Sequence, residues 1–241
     1  MTFVTALMIS SVYRLNWFSA TIKSMTNKSD RVTDKVNDFF ARYPVQKYDR
    51  GQLIIFAGDA PAGVFLLKTG SVGQYDISAR GDKIIVNVFK PDTFFPMSWA
   101  YQQNTNTFFY EALSDVEVVK APADKTLKFM EANPDVLRDL LIRVYRGMEG
   151  VLQRMVQLMG GSARSRLVFE LVISTRRFGK HQRDGSYRLP INERDLASRT
   201  GLTRETINRE IRKLKSEGQL KVDQDGLIIT DLERLEPLAN I

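Results

Sequence analysis

The 241-residue chain contains no cysteine and a single histidine. Without thiols it can form no disulfide, no Cys-ligated zinc site and no iron–sulfur cluster of its own. A Ser–His–Asp or Cys–His nucleophile system would depend on His181 alone. That residue lies in the polar run Phe178-Gly179-Lys180-His181-Gln182-Arg183-Asp184-Gly185, the composition of an exposed loop. No Gly-rich phosphate loop of P-loop or Rossmann spacing occurs. Glu193 and Asp195 are close in sequence, but side chains two apart do not face each other on a helix. The expectation is a protein with no catalytic residues, no metal centre and no enzymatic activity. Long apolar runs are also missing. Met1 to Tyr13 is mostly apolar or small, yet it has no basic flank, is too short to span a bilayer and is interrupted by Arg14 and Asn16. No membrane partner is expected, and the chain reads as cytoplasmic. Residues 1–29 are expected to be a disordered extension, with Met25 as an alternative start.

What the chain has in excess is positive charge, and its placement is uneven. The formal net charge is +7, and residues 161–220 carry 14 Lys and Arg against seven Asp and Glu. Residues 221–241 are acidic. A basic stretch of this kind suits a polyanion such as DNA.

The centre of that stretch is Thr203-Arg204-Glu205-Thr206-Ile207-Asn208-Arg209-Glu210-Ile211-Arg212-Lys213-Leu214. Ile207, Ile211 and Leu214 fall at i, i+4 and i+7, one apolar stripe of a helix. Thr203 is placed to cap it, and Glu205 in the first turn suits the positive end of the helix dipole. The opposite face offers Arg204, Glu205, Asn208, Arg209 and Arg212. Arg can donate twice to guanine and Glu can accept from cytosine, so this face can read a major groove. Upstream, Asn192 can cap a short helix, Glu193 to Arg199, and Thr200-Gly201 supplies a tight turn. Helix, Gly turn, helix is the helix-turn-helix pattern, whose second helix is the reader. The rival is a helical hairpin with a solvated face.

The rest of the chain alternates. Asp30 to Tyr43 reads as an amphipathic helix with Val32, Val36, Phe39 and Phe40 inward, ended by Pro44. Short strands follow at Gln52–Phe56, Val64–Lys68, Ser71–Ile77, Lys83–Phe89, Thr107–Ala112 and Val116–Lys120. Their rhythm argues for a β-barrel or roll. After a short helix, Ala123 to Glu131, Asn133 is expected to cap a long one, with Pro134 in its first turn. Leu137, Leu141, Val144, Met148, Val151, Met155 and Leu158 then repeat at alternating steps of four and three, widened by Leu140, Leu152 and Met159. Such a seam favours a parallel helix pair between two subunits. Gly160-Gly161 is read as its end and as a hinge. Ala163–Phe178 reads as a further helix. A strand, Tyr187–Leu189, precedes the helix-turn-helix, and a hairpin, Leu220–Val222 with Leu227–Thr230, makes a wing behind it.

The fold class is therefore α+β. A jelly-roll-like N-terminal β-roll is expected over 30–132, a dimerisation helix over 133–160 and a winged helix-turn-helix over 161–241. This order resembles the CRP/FNR family of bacterial transcription regulators. The resemblance is carried by Thr203-Arg204-Glu205-Thr206-Ile207-Asn208-Arg209, by Asn133-Pro134-Asp135 and by Phe65-Leu66-Leu67-Lys68-Thr69-Gly70-Ser71-Val72. It implies that Arg204, Glu205 and Arg209 read bases and that Thr203 and Thr206 touch phosphates. Arg194 and Lys213 are further phosphate candidates, Lys213 by its charge and place alone. The implied partners are double-stranded DNA as an inverted repeat, a second copy of the chain, and RNA polymerase.

The departures from the family bear on its ligands. Members that bind cyclic AMP carry Gly-Glu and then Arg-Ser in the roll, and here the stretch reads Phe94-Phe95-Pro96-Met97-Ser98-Trp99 and Asn104-Thr105-Asn106-Thr107. No arginine, which could pair bidentately with a phosphate, occurs between residues 81 and 137. Val151-Leu152 stands where those members place a hydroxyl pair. Cyclic nucleotide, iron–sulfur cluster and Cys- or His-ligated haem are not expected as cofactors. The aromatic segment reads first as core, and a small apolar effector is the sharper reading. The competing function is a small-molecule-binding signalling module whose winged helix contacts protein.

Overall fold

The computed structural model describes residues 26–239, so most of the expected extension and the start at Met25 lie outside the described residues. Residues 26–29 of that extension instead open the first helix, α1, Thr26–Phe40. The buried side of α1 is the one expected: Val32, Val36, Phe39 and Phe40 pack against Phe94, Ala121, Met130 and Val136.

Eight strands follow, β1 (Val45–Tyr48), β2 (Leu53–Ile55), β3 (Val64–Thr69), β4 (Val72–Ile77), β5 (Lys83–Phe89), β6 (Phe94–Phe95), β7 (Phe109–Ala112) and β8 (Val116–Ala121). They form two four-stranded sheets, ordered β1-β8-β3-β6 and β2-β7-β4-β5. The sequence pattern predicts neither β1 nor β6, nor α2 (Met97–Gln102). Successive side chains of a strand point to opposite faces. Phe65 and Leu67 accordingly turn to the space between the sheets, while Val64 and Leu66 turn to α1.

The aromatic segment packs the roll. The Phe95 ring stacks on Tyr110 with centroids 5.4 Å apart and on Phe65 at 5.5 Å, and Phe89 closes the group at 5.2 Å. Phe94, Phe95 and Tyr110 are all buried. Each such ring contributes about 1.5–3 kcal/mol by leaving water.

α3 (Ala123–Ala132) leads into α4 (Pro134–Gly160). Asn133 occupies the N-cap position but does not cap with its side chain: its amide donates back to the Phe129 carbonyl at 2.8 Å. Pro134 begins the helix, where its missing N–H costs nothing. Leu140, expected on the seam, packs into the α1 core instead. The seven seam residues, Leu137 to Leu158, are between 39% and 55% exposed.

α5 (Ala163–Phe178), β9 (Lys180–His181), β10 (Tyr187–Leu189), α6 (Glu193–Thr200), α7 (Arg204–Ser216), β11 (Leu220–Asp223), β12 (Gly226–Ile229) and α8 (Leu232–Leu235) complete the chain, with a 3-10 turn over Glu236–Ala239. The sheet order is β11-β12-β10-β9. One core joins Leu167, Leu171 and Val172 of α5 with Leu196, Ile207, Ile211, Leu214, Leu227 and Ile229. Only Gly161 and Ser162 separate α4 from α5. Gly161 is extended, and a Cβ there would lie 2.5 Å from the Gln157 carbonyl oxygen. The residue is required for close approach rather than as a free hinge. Ser162 caps α5 by accepting from the Ser165 N–H.

Candidate nucleic-acid interface

The reader is held from below. Ile207, Ile211 and Leu214 are buried, as their spacing requires. The Asn192 side chain accepts from the Asp195 N–H at 2.8 Å and starts α6. Gly201 ends it in the left-handed region, φ +64°, where only glycine sits without strain. The Arg166 guanidinium donates to the Thr200 carbonyl at 2.7 Å and so pins the turn from α5. Thr203 caps α7 by accepting from the Thr206 N–H at 3.2 Å.

The outer surface is set by what this scaffold leaves free. Arg204, Glu205, Arg209 and Arg212 are exposed along one side of α7, and Arg194 is exposed at the start of α6. Among the described residues Arg194, Arg204 and Arg212 enter no ion pair, so their donors are available. Thr203 and Thr206 are coupled: the Thr203 hydroxyl donates to Thr206 Oγ1 at 3.0 Å. Its proton is used there, whereas the Thr206 hydroxyl keeps its own for an incoming acceptor.

Arg209 and Lys213 share one carboxylate. Glu210 Oε1 accepts from Lys213 Nζ at 3.0 Å and from Arg209 Nε at 3.4 Å. Burial alone pushes the Glu210 carboxyl up, but the two cations together outweigh it and hold it below the ordinary glutamate value. Lys213 is thus tethered on the helix flank, and only part of its charge is directed outward.

The basic excess is partly neutralised inside the domain. Arg164 pairs with Glu217 through two nitrogens, Arg176 with Glu236 at 2.6 Å, and Arg188 with Asp223 across the wing. Counting charges along the sequence overstates the free positive field, because residues far apart in the chain neutralise each other. The wing tip at Asp223 and Asp225 is acidic and occupied with Arg188, so the positive face is that of α6 and α7.

Sequence reasoning missed a second polar group, at the junction of roll and reader domain. Arg154 of α4 donates to Glu170 of α5 at 3.0 Å and to the Val86 carbonyl of β5 at 3.2 Å. Arg177 donates to the Val88 carbonyl at 2.6 Å, and Arg199 of α6 to Ser174 Oγ at 3.0 Å. The signal available in the sequence is a lone carboxylate, Glu170, within the apolar run Leu167-Val168-Phe169-Glu170-Leu171-Val172, and the structure buries it.

Comparison with known proteins accords with this geometry. The cyclic nucleotide-binding domain pattern matches residues 45–133, and the Crp-like helix-turn-helix domain pattern matches residues 165–238. The chain is 26% identical over 192 residues to the global nitrogen regulator of a Nostoc species, covering 77% of this chain and 84% of that protein. It is 28% identical over 200 residues to the fumarate and nitrate reduction regulatory protein of Salmonella typhi, covering 81% and 77%. A CRP/FNR-family transcriptional regulator of Thermus thermophilus shares the fold, with a TM-score of 0.69 at 20% identity over 82% of this chain and 99% of that one. FixK2 of Bradyrhizobium japonicum does so with a TM-score of 0.68 at 24% identity, covering 81% and 96%. With a cyclic-nucleotide-type roll leading through one long helix into a Crp-like reader, the chain belongs to the CRP/FNR family of DNA-binding transcription regulators.

Proposed function

We propose that the protein acts as a homodimer on an inverted-repeat DNA site. The observation that carries this reading is the exposed seam of α4. Seven apolar side chains at heptad spacing, Leu137, Leu141, Val144, Met148, Val151, Met155 and Leu158, face solvent along one helix, flanked by exposed Tyr145, Leu152, Val156 and Met159. A contiguous apolar strip of this length is what two parallel helices bury against each other.

On this reading the division is roll (30–132), pairing helix (133–160) and reader domain (161–241). Each subunit sets one α7 in a major groove, with half-sites about 34 Å apart. Arg204, Glu205 and Arg209 read base edges; Thr203, Thr206, Arg194 and Lys213 engage phosphates. Arg212, unpaired and exposed, belongs with the phosphate contacts.

The protein is proposed to regulate transcription in the cytoplasm rather than to catalyse a reaction. No helix among the described residues is long and apolar enough to cross a membrane. RNA polymerase is the expected downstream partner. The roll is proposed to work without cyclic nucleotide, haem or iron–sulfur cluster, because the chain has no cysteine and the segment that would hold the cyclic phosphate supplies no guanidinium. Phe65, Phe89, Phe95 and Tyr110 fill the space between the sheets, which supports an apolar small molecule over a charged one as any ligand of the roll.

Selecting bound fragments from random duplexes, together with sedimentation of the free protein, tests the whole reading. The expected result is a dimer and a two-fold symmetric motif. A monomer, or fragments without symmetry, would overturn it.

A further inference from the structure

Three guanidinium groups converge where the roll, α4 and the reader domain meet. Arg154, Arg177 and Arg199 line one narrow cleft, partly open to solvent, with Asn87, Ser174 and the single carboxylate of Glu170. Glu170 is buried and already committed. It accepts from Arg154 at 3.0 Å and from Ser174 Oγ at 2.9 Å, and Arg199 lies 3.6 Å away. Three cations therefore face one anion, leaving two positive charges uncompensated; Arg154 and Arg199 are largely buried, while Arg177 reaches solvent.

Two of the remaining donors lack protein partners. Arg199 is about nine-tenths buried, and its Nε–H has no acceptor; the buried Nε–H of Arg154 has none either. A buried donor without an acceptor is costly, and more so when charged. Arg177 feels the imbalance: burial first, then the neighbouring charge of Arg154, pulls its pKa below the ordinary arginine value. All three conditions are relieved by one thing, a bound anion with several acceptor oxygens.

We propose that this cleft is a binding site for a small tetrahedral oxyanion, phosphate or sulfate, lodged among Arg154, Arg177 and Arg199. Guanidinium forks suit such oxygens because their parallel N–H donors match the oxygen spacing. The narrowness of the cleft favours the free anion over a nucleotide. Arg154 belongs to the pairing helix, Arg177 and Arg199 to the reader domain, and two of the three also donate to carbonyls of β5. The anion therefore ties the reader to both the roll and the pairing helix, and it fixes the reader's orientation when present. The site is separate from α7 and does not rest on the base-reading roles assigned there.

The test is thermal unfolding of the full-length protein in inorganic phosphate, sulfate or glycerol phosphate, with chloride making up constant ionic strength. A saturable rise is expected for phosphate and sulfate, about 3 °C at ten times the dissociation constant. A smaller rise is expected for glycerol phosphate, and an equal one would overturn the preference for the free anion, because the site would then admit phosphate esters as well. Arg177→Gln together with Arg199→Gln should abolish the saturable part, while Arg204→Ala with Arg209→Ala should leave it intact. If the double Gln variant does not fold, Arg199→Lys replaces it and should weaken half-saturation at least about tenfold, since Lys lacks the fork. A linear, unsaturable rise common to all variants, or a response lost in the Arg204 and Arg209 variant instead, would overturn the proposal.

Discussion

The ammonium of Lys213 donates to Oε1 of Glu210 at 3.0 Å, one turn apart on the reader helix. The carboxylate is buried and the ammonium is not, so the pair orients a charge at the surface from an anchor below it.

That anchor has a pH signature. The Glu210 carboxyl titrates below its ordinary value of 4.5 in the folded protein. A lowered carboxyl contributes stability that is fully present above the unfolded value and is lost as pH falls through the folded one. Glu210→Gln should therefore be less stable than the parent at pH 7, with the difference shrinking below pH 4.5. Urea unfolding at about pH 7, 5 and 3.5 measures it. A constant gap across that range would remove the pair from the account.

Arg204 and Lys213 should fail differently on DNA. Arg204→Ala is expected to cost about 1–3 kcal/mol on the preferred site and to relax preference at one base pair. Lys213→Ala should weaken all sequences alike and reduce the salt slope by about one. Because it also frees Glu210, it should lower the unfolding midpoint as well, which Arg212→Ala should not. Titrations at several salt concentrations on specific and random duplexes separate these outcomes.

Val151 and Met148 sit at the middle of the exposed seam. Placing a carboxylate there, Val151→Glu or Met148→Glu, forces an unpaired charge into a buried contact. The dimer dissociation constant is expected to rise at least about tenfold, equivalent to about 1.4 kcal/mol. Analytical ultracentrifugation reads the change, and an unaltered dimer would show that α4 pairs through another face.

Phe95 tests the filled roll. Phe95→Ala should cost about 3–5 kcal/mol, as for large-to-small changes in a packed core. Cyclic AMP should leave the unfolding midpoint of the parent unchanged. A saturable rise with cyclic AMP would mean that the stacked rings open to admit it.

Local chemistry accounts for much of the reader domain. Helical periodicity places α5 residue for residue, and the cap at Asn192, the turn at Gly201 and the buried face of α7 all follow from neighbouring residues alone. β1 escapes because Val45–Tyr48 is half exposed and carries Gln and Lys, so it lacks the apolar signature of a strand. Asn133 reads as a cap because cap preference is local, while its amide answers to the preceding helix. Leu140 reads as part of the seam because α4 has two apolar faces, and periodicity alone cannot say which one α1 covers. The Arg154–Glu170 contact joins α4 to α5, and the third member, Arg199, arrives from α6. No window of sequence shows three cations around one carboxylate.

Two residues, Gly161 and Ser162, form the whole connection between the pairing helix and the reader domain, and neither has slack. Gly161 is wedged against the last turn of α4 and Ser162 is engaged in starting α5. In the proposed dimer, a rotation of one paired helix against its twin would have no loose tether in which to dissipate. It would arrive at the grooves as a change in the angle and spacing of the two recognition surfaces, like a pair of calipers set by its pivot.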